Sequence, residues 1–329
     1  MIVESNVHSK NIIKFAKQNQ DVLVLSADLG TSCEIKEFSE ELPERYISMG
    51  LTEQNTLSWA AGLAQEGFRP YIHTFAVFLY RRPLDQLEMS VAYPNLPVSL
   101  IGFVPGITTP GGVTHQSIED IAILRSIPNM TIFDCGDATD VESALEISKQ
   151  INGPIYIRML RGEVPRLFDA TQPTKFNKGR LIKEGTDIAI FSSSICTEEA
   201  MRATKYLEDK GISVQHVHIT TLKPFTDPLV IESIEKVKYG VVTMENHTVI
   251  GGLGTAVGEV MLENQLSKKL VKVGINDVWT HGASKPYLMK RYGLDATALI
   301  RAVGKIMSRE FDINEIEIDK VRLEDYDSV

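Results

Sequence analysis

Residues 21–28 have the sequence DVLVLSAD, a short run of β-branched and other apolar residues that ends in an acid. Similar runs recur through the first half of the chain: PYIHTF (70–75), PVSLIGF (97–103), MTIFD (130–134) and PIYIRM (154–159). Amphipathic stretches with helical spacing separate these runs. The alternation predicts an α/β fold with a doubly wound parallel sheet, in which helices cover both faces.

A second, smaller α/β domain is predicted after a change in composition. The segment FDATQPTKFNKGRLIKEG (168–185) is polar and contains a proline and two glycines, which is typical of a domain boundary. We therefore expect a first domain at 1–166 and a linker at 167–184. The second domain, at 185–307, opens with the apolar run TDIAIFSSS (186–194).

Charge and composition exclude several classes of protein. The formal net charge of −9 argues against nucleic acid or an anionic membrane as a partner, because both would repel the chain. The three cysteines, Cys33, Cys135 and Cys196, lie far apart without a CxxC pair, so neither a disulfide framework nor a zinc site is expected. No uncharged apolar run approaches the ~18 residues that span a bilayer. We expect a cytoplasmic protein.

The C-terminal end of the chain is unusually acidic. Eight acidic and three basic residues fall in 308–329. Such a concentration of like charge is typical of a solvated segment. We therefore predict an acidic C-terminal extension there, outside the second domain.

Several loops that follow strands carry residues suited to chemistry, and a doubly wound sheet binds its ligands at the carboxyl ends of its strands. Asp28 and Ser32 follow the first strand. Glu53 stands at the start of an alanine-rich helix, where the helix dipole stabilises a carboxylate. Taken alone, this position favours an ordinary N-terminal helix acid.

Aromatic and histidine side chains follow two further strands. Phe75 and Phe78 are spaced to share one face of a helix, which suits either core packing or stacking on a ring. His115 lies in a loop rich in glycine and proline (105–116), where a histidine can also be a simple cap. Arg158 and Arg161 end another strand and could bind an anion or bridge to acidic side chains.

Five segments, taken together and in this order, resemble the pyrimidine-binding domain of transketolase and of deoxyxylulose-phosphate synthase. Further on, the segments LKPF and TMENHTVIGGLG resemble the C-terminal domain of the same family. The resemblance implies the C-terminal half of a transketolase that uses thiamine diphosphate, carried as a separate subunit. The first five segments are SADLGTS (26–32), MGLTEQN (49–55), TFAVFLYR (74–81), THQ (114–116) and YIRMLRG (156–162).

The other half of the family's site is missing from this sequence. That half carries a GDG motif, followed by an asparagine, which binds the metal and the diphosphate. The most similar triplet here is Cys135-Gly136-Asp137, which lacks the asparagine. The resemblance therefore implies a partner, the transketolase N-terminal (diphosphate-binding) subunit, that holds most of the Mg²⁺ or Ca²⁺ site. It also implies self-association in a heterotetramer.

The resemblance assigns cofactor roles to individual residues. Glu53 matches the glutamate that shares a proton with the aminopyrimidine ring, and Phe75 and Phe78 match the pocket that stacks on this ring. Asp28 and Arg81 are also assigned to the cofactor site.

Other matched residues face the substrate. His115 matches a histidine that lines the substrate channel, and Ser32, Arg158 and Arg161 are assigned to the anionic end of the sugar, a phosphate or another tetrahedral group such as a sulfonate. The chain departs from transketolases at Gly111, where they commonly carry an aspartate that contacts a sugar hydroxyl.

The function implied is transfer of a two-carbon ketol unit from a ketose with an anionic end, such as a phosphate, to an aldose. Two alternatives stay open. One is the E1 β-subunit of a 2-oxo-acid dehydrogenase, which shares this pair of domains. The other is a non-catalytic interaction subunit that has kept the fold.

Overall fold

All five apolar runs of the first half form strands of a single seven-stranded sheet, as predicted. The computed structural model describes residues 2–319 and 321. The elements of the first half are β1 (Ile2–Ser5), α1 (Val7–Gln18), β2 (Val22–Ser26), α2 (Lys36–Glu41), β3 (Tyr46–Ser48), α3 (Glu53–Gln65), β4 (Arg69–Phe75), α4 (Ala76–Tyr80), α5 (Leu84–Gln86), a π-helix (Leu87–Ala92), β5 (Ser99–Phe103), α6 (Asp120–Ser126), β6 (Thr131–Asp134), α7 (Ala138–Gln150), β7 (Ile155–Met159) and β8 (Glu163–Arg166).

The second half forms a separate five-stranded sheet with its own helices. Its elements are β9 (Arg180–Lys183), β10 (Ile188–Ser192), α8 (Cys196–Asp209), β11 (Val214–His218), β12 (Thr221–Lys223), α9 (Pro228–Lys236), β13 (Gly240–Thr248), α10 (Leu253–Glu263), β14 (Lys269–Ile275), α11 (Lys285–Tyr292), α12 (Ala296–Met307) and α13 (Glu315–Asp319). No helix in the described part of the chain is long and apolar enough to cross a membrane.

The order of strands in the larger sheet places the candidate loops side by side. The order is β12-β6-β7-β5-β4-β2-β3, and every neighbouring pair is parallel except β12 with β6. Strands β2, β5 and β7 are buried along their whole length, as expected when helices cover both faces. The carboxyl ends of β2, β4 and β5 therefore meet at one edge, and the loops that follow them form a common rim.

The two halves are joined through the sheet itself. Strand β12 belongs in sequence to the second half, yet it pairs antiparallel with β6 and so extends the first sheet. In the smaller sheet the order is β14-β13-β10-β11-β9, with β9 antiparallel to its neighbour and the other pairs parallel.

Aspartate side chains begin three of the helices. Asp137, Asp227 and Asp295 each accept a hydrogen bond from a backbone N–H in the first turn of α7, α9 and α12. Asp137 is the acid of the Cys135-Gly136-Asp137 triplet. Its carboxylate is thus used as a helix cap, as expected for a triplet that is not a diphosphate motif.

Two boundaries predicted from the sequence need correction. The predicted linker at 167–184 contains β9, which pairs with β11 and belongs to the second sheet. The predicted solvated extension folds back over residues 308–319, where α13 forms and the Ile318 side chain is buried. The Tyr206 hydroxyl donates to the carbonyl oxygen of Asp312 at 2.7 Å. Apolar residues within the acidic segment explain this packing; residues 320 and 322–329 lie outside the described residues.

Candidate active site

Glu53 is a buried carboxylate at the first position of α3. The chain reaches it through a turn in which Gly50 has a left-handed φ of +68° and the Thr52 hydroxyl donates to the Met49 carbonyl at 2.7 Å. Only 5% of Glu53 is exposed, and the Arg82 guanidinium donates a hydrogen bond to its Oε1. A buried charge requires such a partner.

Phe75 and Phe78 form one aromatic cluster next to this carboxylate. Phe75 ends β4 and Phe78 lies in α4, so strand and helix bring the two rings together. Their centroids are 6.0 Å apart and their planes differ by 25°. Both rings are partly exposed, unlike the buried Val77 and Leu79 between and beside them. A flat ligand can therefore reach them, which favours the ring-binding interpretation over simple core packing.

His115 completes the cluster from the neighbouring loop. Its ring meets both phenylalanines edge to face, with centroids 6.1 Å from Phe75 and 5.6 Å from Phe78. The Thr114 hydroxyl is hydrogen bonded to Nδ1 of His115 at 2.8 Å. A Cβ on Gly111 would lie 2.9 Å from the Cβ of His115. A glycine at position 111 therefore leaves room for His115, which a larger side chain there would displace.

Arg81 has a different role from the one predicted. Arg81 donates from Nε to Glu119 at 2.8 Å, from Nη1 to the Val113 carbonyl at 2.9 Å and from Nη2 to the Gln116 carbonyl at 3.2 Å. It therefore fastens the loop that carries His115 and does not reach towards the aromatic cluster.

The arginine at the cluster is Arg82. Its guanidinium carbon lies 3.9 Å from the centroid of the Phe78 ring while the same group pairs with Glu53. The assignment of Arg81 to the cofactor needs correction for this reason. Sequence reasoning missed Arg82, although the pair Arg81-Arg82 was the available signal.

The loop that follows β2 and the loop that follows β7 meet beside Phe75. Arg161 donates from Nη1 to the Ser32 carbonyl at 2.8 Å, and its guanidinium carbon lies 5.3 Å from the Phe75 centroid. The Gly162 N–H donates to Glu34 at 2.7 Å and fixes the same two loops together. Arg161 is exposed, so it keeps donors free for an anion from solvent.

Asp28 lies at the same edge of the sheet. It follows β2, is exposed and adopts a left-handed φ of 61°, a conformation that a short polar side chain tolerates. Its role in cofactor binding stays a prediction.

Arg158 is not available to a substrate, and its predicted role needs correction. The side chain is fully buried and donates to Asp120 at 2.9 Å and to Asp134 at 3.0 Å. It also donates to the Asn246 carbonyl on β13 at 3.0 Å, so it ties the two halves together. Burial raises the pKa of Asp134, and the Arg158 charge opposes that shift. The alternative that this arginine bridges acidic side chains is the one that the structure supports.

The residues present fit one end of thiamine diphosphate. A carboxylate beside an aromatic face suits the aminopyrimidine ring, since the faces offer stacking and the carboxylate can bond a ring nitrogen. Across residues 2–319 and 321, no group of three or more His, Cys, Asp or Glu side chains could hold a metal ion. The side chains named above therefore account for the pyrimidine end of the cofactor.

Comparison with known proteins identifies two domains of one family in this chain. The family model "Transketolase, pyrimidine binding domain" matches residues 5–166, and "Transketolase, C-terminal domain" matches residues 177–299. A candidate transketolase C-terminal section from Methanocaldococcus jannaschii is 36% identical over 306 residues, covering 92% of this chain and 96% of that protein. A 6-deoxy-6-sulfo-D-fructose transketolase subunit from Clostridium sp. (strain MSTE9) is 36% identical over 300 residues, covering 91% and 92%.

A solved structure gives the same result in three dimensions. It is a split-gene transketolase in the form of an inactive β4 tetramer, and it matches 94% of this chain and 100% of its own with a TM-score of 0.85 and 37% identity. The resemblance inferred from the five motifs is confirmed. This chain is a C-terminal section, made of a pyrimidine-binding and a C-terminal domain, and it belongs to the transketolase family, whose members depend on thiamine diphosphate.

Proposed function

We propose that this chain is the pyrimidine-binding subunit of a two-component transketolase. The enzyme would transfer a two-carbon ketol unit from a ketose with an anionic end to an aldose. The observation that carries the proposal is the cluster of Glu53, Phe75, Phe78 and His115, in which a buried carboxylate, two accessible ring faces and a histidine lie together. A non-catalytic subunit has no need of this combination.

Each side chain of the cluster has a defined task in this proposal. Thiamine diphosphate, when bound, would supply a carbon nucleophile for the ketose carbonyl. Phe75 and Phe78 stack on the pyrimidine ring, and Glu53 exchanges a proton with it. His115, whose Nδ1 is already bonded to Thr114, uses Nε2 to donate to the substrate oxygen on which negative charge develops.

The anionic end of the ketose would bind at Arg161 and Ser32. The two residues lie together beside Phe75, and Arg161 is open to solvent. A guanidinium pairs with either a phosphate or a sulfonate. The Clostridium relative is named for a sulfo sugar, so both groups are candidates here.

The proposed partner is the N-terminal diphosphate-binding subunit, which would hold Mg²⁺ or Ca²⁺ within a heterotetramer. Large apolar side chains are exposed just before α3, along α3, and on or directly after the adjoining π-helix: Leu51, Trp59, Met89 and Tyr93. A chain that brings a diphosphate site to Glu53 would cover this surface. Two relatives that match over nine-tenths of this chain and of their own length are named as a transketolase section and a transketolase subunit, which favours transketolase over the oxo-acid dehydrogenase alternative.

Replacing Arg161 tests the proposed substrate class. In the purified two-component enzyme, Arg161→Ala is expected to raise the KM for a ketose phosphate by roughly 30- to 150-fold, equivalent to about 2–3 kcal/mol, because a charge-assisted contact is lost. Hydroxypyruvate, a short donor without the anionic far end, should be nearly unaffected. Arg161→Lys should recover part of the loss. An equal rise in KM for both donors would show that Arg161 only supports the loop at Ser32.

A further inference from the structure

The pyrimidine pocket of this chain is filled by one of its own side chains. The Arg82 guanidinium lies over the Phe78 ring, with its carbon 3.9 Å from the ring centroid, which is within cation–π distance. The same guanidinium pairs with Glu53. Arg82 therefore uses both groups that the proposed function assigns to the aminopyrimidine ring.

The surroundings of Arg82 allow its side chain to move out of the pocket. Its backbone is held, because Gln54 donates to the Arg82 carbonyl at 3.2 Å, but 46% of its side chain is exposed. Glu53, by contrast, is 5% exposed and needs a partner for its charge in this pocket. A ligand that bonds Glu53 and stacks on Phe78 would replace both contacts of Arg82 and release its guanidinium to solvent.

We propose that Arg82 occupies the place of the cofactor's aminopyrimidine ring, in this chain and in the assembled enzyme, and must be displaced before the ring can bind. This inference rests on the proposed function. It makes Arg82 a positioning residue that keeps Glu53 paired until the cofactor arrives. The apparent dissociation constant for the cofactor is then the intrinsic one divided by the fraction of chains in which the pocket is open.

The test is calorimetric binding of thiamine diphosphate, with Mg²⁺ present, to the assembled two-component enzyme. Arg82→Gln should tighten the dissociation constant by roughly five- to thirtyfold, since neither the ion pair nor the stacking contact has to be broken. Arg82→Lys keeps the charge but lacks the flat guanidinium face. Its dissociation constant should lie between those of the unaltered enzyme and of Arg82→Gln. The matched control Arg81→Gln makes the same change one residue earlier and should not tighten binding.

The outcomes separate this inference from the proposed function. If the unaltered enzyme binds thiamine diphosphate and Arg82→Gln binds it equally or more weakly, then Arg82 is not an obstacle and the inference is overturned. If the unaltered assembled enzyme does not bind thiamine diphosphate, the proposed function itself fails. The inference is supported if Arg82→Gln binds thiamine diphosphate more tightly than the unaltered enzyme and the control Arg81→Gln does not.

Discussion

The Glu53→Gln variant of the assembled enzyme is expected to fold normally and to lose about 10²- to 10⁴-fold in turnover, the usual effect of removing an acid–base group. Glutamine keeps the size of the side chain and one acceptor oxygen, so the start of α3 should be preserved. It cannot exchange a proton with the pyrimidine ring. Arg82 loses its partner, but its half-exposed guanidinium is hydrated instead.

Steady-state kinetics of ketol transfer, with circular dichroism to check the fold, measure this effect. Glu66→Gln is the matched control, because Glu66 is an exposed glutamate at the other end of α3 and the chemical change is identical. The control should keep its turnover. Near-normal turnover in Glu53→Gln would remove Glu53 from the proton exchange that we propose.

Arg158→Met is expected to lower the free energy of unfolding by about 3–5 kcal/mol, because it leaves two buried carboxylates without their cation. Asp120 and Asp134 are both fully buried and both bonded to Arg158. The bond to Asn246 across the two halves would also be lost. Urea unfolding of the purified chain measures the change.

The matched control lies three residues further along the chain. Arg161→Met removes the same charge from an exposed position, so its free energy of unfolding should change by only about 0.5 kcal/mol or less. A chain that remains fully stable with Arg158→Met, and instead binds anionic donors poorly, would contradict the structural role and restore Arg158 to the substrate site.

These two arginines show where prediction from the sequence reached its limit. Arg158 lies within the apolar run PIYIRM and Arg161 lies two residues beyond it, but this spacing alone does not predict which of the two is buried. The partners that fix Arg158 are 24, 38 and 88 residues away in the chain, so its burial depends on tertiary packing alone. Arg81 and Arg82 pose the same problem on a smaller scale, since the direction of each side chain depends on a bend after α4.

The strands of the large sheet were predictable because their apolar runs are local and nearly continuous. The segments at β9 and α13 were not, because each is short and rich in charged residues. Strand β9 is stabilised by pairing with β11, and α13 by burial of Ile318. The aromatic cluster was found from sequence only because several motifs coincided; Phe75 and Phe78 taken alone would equally have suited a core.

The most direct test of the account is to measure cofactor binding and ketol transfer with this chain alone and then with the N-terminal subunit. The pyrimidine pocket offers stacking and one carboxylate, which is too little for tight binding of the whole cofactor. Calorimetry should therefore show weak binding of thiamine diphosphate and no transfer for the chain alone. Tight binding and transfer should both appear on mixing with the subunit that carries the diphosphate motif. Full activity from the single chain would contradict the account, because other residues of this chain would then have to hold the diphosphate.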